Sequence, residues 1–286
     1  DNCYFEYMGR AVAAAGPRGD IDIYNDVIGL HITNCTSVNS AHSFVKGNDG
    51  QDIQITNNTV RNPAQNGIIW QRRYGNTRNA RITIKGNQIY SPAVRGMYIL
   101  GADDGDTGDY VQHLVIANNI VQDPAYAGIR ARYWMDIAVT GNIVYGGASE
   151  NGIDLHNTTN SADKQAVVTG NVVDMQGNNR KGIYMTPRST TRGTTVIGNS
   201  VYNTGTAAGI DVAAALSPII NGNALNSTAG IVVSAATRAI VNDCSEITGA
   251  GATPTASNYE EGEIVVNTTD NTAWVKDRGG TMQQIK

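Results

Sequence analysis

The feature that most constrains this chain is a repeat. Ile-Thr-Asn-Asn-Thr-Val at 55–60 returns as Ile-Lys-Gly-Asn-Gln-Ile at 84–89, Ile-Ala-Asn-Asn-Ile-Val at 116–121 and Val-Thr-Gly-Asn-Ile-Val at 139–144. It returns again as Val-Thr-Gly-Asn-Val-Val at 168–173, Val-Ile-Gly-Asn-Ser-Val at 196–201 and Ile-Asn-Gly-Asn-Ala-Leu at 220–225. The anchors are Asn58, Asn87, Asn119, Asn142, Asn171, Asn199 and Asn223, spaced by 29, 32, 23, 29, 28 and 24 residues. An earlier copy at 32–38 puts Cys35 in the anchor position. A second anchor, Gly followed by Ile or Met, trails each asparagine by 7 to 11 residues: Gly67, Gly96, Gly128, Gly152, Gly182, Gly209 and Gly230.

Each copy holds two or three short alternating strands separated by Gly, Asn and Pro turns. One copy cannot bury its apolar side alone, so the copies must stack. Fixed anchors with a variable period fit a coil whose corners accept insertions. Stacked asparagine side chains can bond one another and the neighbouring turn backbones, which satisfies polar groups at a buried bend. Leucine is too scarce for leucine-rich repeats, and propeller blades need about 40–50 residues per unit.

Composition agrees with an all-β chain. Charged residues are 16% of 286, against about 25% in ordinary domains, and Gly (32), Thr, Ser and Asn fill the polar share. The formal net charge of −4 supplies no basic field for nucleic acid. No window approaches about 18 consecutive apolar residues, so no helical membrane span is expected. The start at Asp1-Asn-Cys-Tyr-Phe reads as entry into the middle of a fold, as in an excised or processed fragment. Cys3, Cys35 and Cys244 form no disulfide framework and are expected to be buried small residues.

The asparagine and Gly-Ile anchors, over about residues 20–245, resemble the right-handed parallel β-helix of the pectate-lyase-like superfamily. The repeat region is taken as 1–245, followed by a Gly/Ala/Thr linker at 246–258. Residues 259–286 read as two alternating strands around Thr-Thr-Asp-Asn, a hairpin that must pack on something to be stable. Gly-Glu-Ile-Val-Val-Asn-Thr-Thr-Asp-Asn is similar to the short C-terminal β modules of bacteriophage tail fibres and tailspikes. Together the two resemblances imply a tailspike-type depolymerase that binds and cleaves a bacterial surface polysaccharide. They also imply a homotrimer joined to the rest of a phage tail, on the virion and extracellular. The alternatives are a non-catalytic glycan-binding adhesin or fibre shaft, and a secreted bacterial carbohydrate enzyme of the same superfamily.

Alternation after each Gly-Ile sorts the side chains by face. The inward row is Trp70, Ile99, Ala131, Leu155, Met185, Val212 and Val233. One outward row is Ile69, Tyr98, Arg130, Asp154, Tyr184, Asp211 and Val232; the other is Gln71, Leu100, Arg132, His156, Thr186, Ala213 and Ser234. A slip of one residue would bury three charges. The middle of the face is therefore aromatic and charged, as a sugar-binding strip requires. The candidate substrate-binding residues are Tyr98, Arg130, Arg132, Tyr184, Trp70 and Arg188. An ordinary cross-strand ion pair on a solvated sheet remains the competing account of Arg130 and Asp154.

Glycoside hydrolysis needs an acid carboxyl and a second carboxylate. Asp154 and Asp211 lie two coils apart, about 9.6 Å by strand spacing, and are the expected pair, with Glu150 a substitute at the groove edge. His156 joins the candidate catalytic set. For β-elimination on a uronic-acid polymer, Arg130 or Arg132 would neutralise the carboxylate, and His156 or Tyr98 would move the proton. No cofactor is expected. Asp103-Asp104-Gly105-Asp106-Thr107-Gly108-Asp109 lacks EF-hand spacing and reads as a solvated loop, with Ca²⁺ binding through its clustered carboxylates the alternative. The four histidines show no metal spacing.

Overall fold

The computed structural model describes residues 2–6, 19–23, 27–71, 79–101, 110–157, 165–186, 193–213, 218–226, 230–234, 240–241, 245–247, 264–267, 272–276 and 279–285. The chain is a right-handed parallel β-helix. Each coil runs through three sheets. A long-strand sheet is built from strands such as Gly50–Thr56 and Ala80–Lys85. A short-strand sheet is built from three-residue strands such as Thr59–Arg61 and Gln88–Tyr90. A third, here called the site sheet, is built from strands such as Ile68–Gln71 and Met97–Leu100. Among the described residues these sheets hold ten, nine and nine strands.

Two devices set the corners. Between the long and short strands the chain turns at Asn57, Gly86, Asn118, Gly141, Gly170, Gly198 and Gly222, all left-handed with φ between 53° and 68°. Asn and Gly tolerate that region best, which explains the Asn/Gly before each anchor. The anchor asparagines then form a continuous ladder, buried from Asn58 to Asn199 and half-buried at Asn223. Asn142 shows the unit: its Nδ2 donates to the Ile116 carbonyl and to Asn171 Oδ1, both at 2.9 Å. Its Oδ1 accepts from Asn119 N at 3.0 Å and Asn119 Nδ2 at 2.9 Å. The ladder begins where the Cys35 amide donates to Asn58 Oδ1. At the entry to five consecutive site strands, Gly67, Gly96, Gly128, Gly152 and Gly182 are required by close approach. A Cβ on Gly67 would stand 2.7 Å from the Gly96 carbonyl oxygen and would press on Ile89.

The inward rows fuse into one core. Trp70, Ile99, Ala131, Leu155, Met185 and Val212 are fully buried, as are Val60, Ile89, Val121, Val144, Val173 and Val201 from the short strands. Cys35 is buried with them, whereas Cys3 is exposed, contrary to expectation; Cys244 lies outside the described residues. The expected hairpin is present as Ile264–Asn267 antiparallel to Thr272–Lys276. It belongs to a larger sheet: Met282–Ile285 adds on one side, and Ser245–Ile247 pairs parallel on the other. Ser245–Ile247 thus carries strand structure across the point where the linker was expected to begin.

Candidate functional site

The outward row of the site sheet stacks in register, with Tyr98 beside Arg130, Arg130 beside Asp154, Asp154 beside Tyr184 and Tyr184 beside Asp211. Leu100, Arg132, His156 and Thr186 form the parallel row. The corner that leads into the sheet adds Arg95, Tyr126, Glu150 and Lys181.

These groups form two joined clusters. Arg95 grips Glu150 with both prongs, Nε to Oε2 at 2.7 Å and Nη2 to Oε1 at 2.6 Å. Its guanidinium lies 4.8 Å from the centroid of the Tyr98 ring and 5.5 Å from that of Tyr126, between two aromatic faces. Arg130 reaches Glu150 Oε1 through Nη1 at 2.5 Å, while its Nε lies 3.6 Å from Asp154 Oδ2. One guanidinium therefore bridges two carboxylates. In the second cluster Lys181 Nζ sits 2.5 Å from Asp211 Oδ2 and 3.8 Å from the centroid of the Tyr184 ring.

Asp154 and Asp211 point to the outer side of the sheet but are only 5% and 7% exposed. Arg130 and Lys181 cover them, and one oxygen of each, Oδ1, is buried without a hydrogen-bond partner. The environments of the two neighbouring carboxyls diverge. Burial is the largest influence on Asp154 and raises its pKa; Arg130 opposes this and Glu150 reinforces it. Burial also pushes Glu150 up, but the Arg95 and Arg130 guanidiniums outweigh it and hold the carboxyl below its usual range. Two carboxyls whose proton affinities are displaced in opposite directions thus share Arg130. His156 is pushed down by burial and by Arg132 and Arg130, and its Nδ1 lies 2.7 Å from Thr186 Oγ1. A neutral imidazole is the form this setting favours. Among the described residues no three of His, Cys, Asp and Glu converge as metal ligands.

The structure revises the expected site in three ways. Trp70 is fully buried and cannot meet a substrate. It faces inward, as alternation requires, and its Nε1 donates to Asn79 Oδ1 at 3.1 Å. The carboxylate that shares a cation with Asp154 is Glu150; Asp211 is held by Lys181 beyond the Tyr184 strand. Arg132 lies 5.2 Å from the centroid of the Tyr133 ring, beside the network. Arg188 and the acidic segment 103–109 lie outside the described residues. Row alternation does not reach Arg95, Tyr126 and Lys181, which sit in corners. The available signal is positional: Arg95 and Lys181 immediately precede the anchor glycines Gly96 and Gly182.

Residues 21–245 match the family model described as right handed beta helix region. The chain belongs to this family. Among solved structures, the β-helix is similar to PfbA, a surface adhesin of Streptococcus pneumoniae, at 12% identity and a TM-score of 0.42, covering 90% of this chain and 69% of that one. It is also similar to tailspike protein 3 of bacteriophage CBA120, at 12% identity and a TM-score of 0.31, covering 90% of this chain and 58% of that one. No curated protein matches the sequence.

Proposed function

We propose that this β-helix binds a bacterial surface polysaccharide along the site sheet and hydrolyses it, as a depolymerase of the tailspike kind. The observation that carries the reading is the Glu150–Arg130–Asp154 bridge, in which two adjacent carboxyls are displaced in opposite directions. Such divergence assigns acid and base roles within a carboxyl pair. Asp154 gives its proton to the glycosidic oxygen as the bond from that oxygen to the anomeric carbon breaks. Water adds to the anomeric carbon, and its released proton passes to Glu150. Arg95 and Arg130 hold Glu150 in place, and Tyr98, Tyr126 and Tyr184 offer ring faces for the sugars on either side.

The test is incubation with purified capsular polysaccharides and O-antigens, followed by sizing and assay of new reducing ends. Asp154→Asn should lower cleavage by about 10²–10⁴-fold, the usual worth of a positioned acid, and keep polymer binding. Full cleavage by Asp154→Asn would refute the assignment, and ultraviolet-absorbing unsaturated products would replace hydrolysis with β-elimination. One observation favours a second reading, pure binding: Glu150, Asp154 and Asp211 are each already paired with a cation. On that reading wild type and variant both bind and neither cuts.

A further inference from the structure

The short-strand sheet carries a row that the site above does not use. The residue after each buried valine or isoleucine of this sheet lies on the outer side. From Thr59–Arg61 onward the row reads Arg61, Tyr90, Gln122, Tyr145, Asp174 and Tyr202, in cross-strand register throughout. Tyrosine therefore recurs at every second coil, three times running, about 9.6 Å apart by the interstrand spacing. The other outward row of the same sheet, from Thr59 to Ser200, holds no aromatic residue. An outward position on this sheet therefore does not need a large ring. Tyr145 is 37% exposed, and Tyr90 and Tyr202 are half-buried. The row already holds one flat polar group against a ring: the Arg61 guanidinium lies 4.6 Å from the centroid of Tyr90.

We propose that this row is a second glycan-binding track, on which an extended, uncharged stretch of polysaccharide lies along the coil axis with alternate sugars stacked on Tyr90, Tyr145 and Tyr202. The inference rests on the glycan reading of the site sheet and deepens it. A sugar ring presents an apolar C–H face, and a tyrosine ring is the partner that binds such a face at a wet surface. A step of two coils is close to the length of two sugar rings in an extended chain, so rings of the same orientation meet successive tyrosines. Gln122 and Asp174 occupy the coils between, where they meet the hydroxyls of the intervening sugars. The row contains one cation, Arg61, and one anion, Asp174, so it exerts no net field that would select an acidic polymer. Each short strand ends at this row, and the next corner brings in Arg95, Tyr126, Glu150 and Lys181. The track thus runs one corner away from the site sheet, and retention there raises the local concentration of polymer at the site.

The experiment compares wild type with Tyr145→Ala/Tyr202→Ala and Tyr145→Trp/Tyr202→Trp. An array of purified capsular polysaccharides and O-antigens of known structure selects the polymer that wild type binds best. Affinity for that polymer and cleavage of its hexasaccharide are then measured for all three proteins. The alanine pair should weaken polymer affinity by about tenfold or more, with hexasaccharide cleavage and melting temperature unchanged, and the tryptophan pair should restore it. Polymer affinity within twofold of wild type for the alanine pair overturns the track while leaving the site reading intact. A shift of the alanine pair to a smaller species in sedimentation makes the row a contact between copies of this chain and also overturns it. If wild type binds no polymer on the array, the glycan reading itself fails and the track falls with it.

Discussion

Replacing Arg130 with methionine tests the electrostatics of the site directly. Arg130 contacts both Glu150 and Asp154, but the two carboxyls lose different amounts when it is removed. Glu150 keeps the two-pronged grip of Arg95. Asp154, 5% exposed and with Oδ1 already unpartnered, loses its nearest cation. Stranding one member of a buried pair costs roughly 3–5 kcal/mol when the other stays charged. Asp154 can escape that cost by taking a proton. Its pKa is already raised by burial, and Arg130 is the largest influence opposing the rise, so the variant raises it further. The native variant then holds a proton more tightly than the unfolded chain, whose aspartates titrate at about 3.9. Stability must fall as pH rises between that value and the raised native pKa, by at most about 1.4 kcal/mol per pH unit. Denaturant unfolding of Arg130→Met should therefore show a small deficit near pH 4 and a deficit of roughly 3 kcal/mol at pH 8. Adding Asp154→Asn should remove most of the pH dependence. A deficit equal at the two pH values, or unchanged by Asp154→Asn, would refute the account of Asp154 as a buried carboxyl whose proton affinity Arg130 restrains.

Three further substitutions, one of them a control, test the scaffold that places the site. Asn142→Ala orphans the buried Asn119 amide hydrogen and removes one partner of the Ile116 carbonyl, so chemical denaturation should show a loss of about 2–4 kcal/mol; Thr140→Ala, on the outward side of the same coil, should cost under about 1 kcal/mol. Gly96→Ala drives a methyl group into the Gly128 carbonyl oxygen and Val121, and should lower stability by about 1–3 kcal/mol and displace Tyr98 and Arg95, read as loss of polymer binding along with melting temperature.

The fold was legible because its determinants repeat. The asparagine anchor and the Asn or Gly before it specify one corner, the Gly-Ile pair specifies another, and period-two alternation assigns the faces between them. The order from Tyr98 to Asp211 followed from those anchors, and the cross-strand register reproduces it. The corners are different. The segment from each asparagine to the next Gly varies in length, so no alternation rule fixes where its side chains go. Arg95, Tyr126, Glu150 and Lys181 all lie there, and they supply most of the contacts around Arg130, Asp154 and Asp211. Row spacing alone therefore pairs Asp154 with Asp211, and alternation places both aspartates outward without showing that cations bury them. The covering cations come partly from corners rather than from rows. At the chain's other end, alternation marked the hairpin but gave no sign that Ser245–Ile247 would join its sheet, because a three-residue strand carries too little pattern to stand out.

The division between rows and corners also explains how one coil can be both rigid and chemically variable. Inward rows and ladder positions admit little change: a Cβ at Gly67, Gly96, Gly152 or Gly182 strikes backbone of the next coil, and each ladder amide serves its neighbours on both sides. Solvent-facing corner residues such as Arg95, Tyr126, Glu150 and Lys181 carry no such constraint, yet the stacked coils hold them at the strand repeat. Arg95 and Glu150, 55 residues apart in sequence, meet at 2.6 Å because two corners are superposed across the intervening coil that carries Tyr126. Arg130 then ties that corner pair to the sheet through Asp154. A corner substitution such as Glu150→Gln should therefore change charge balance and proton affinity at Asp154 without disturbing the register of the coils, whereas a ladder substitution should do the reverse.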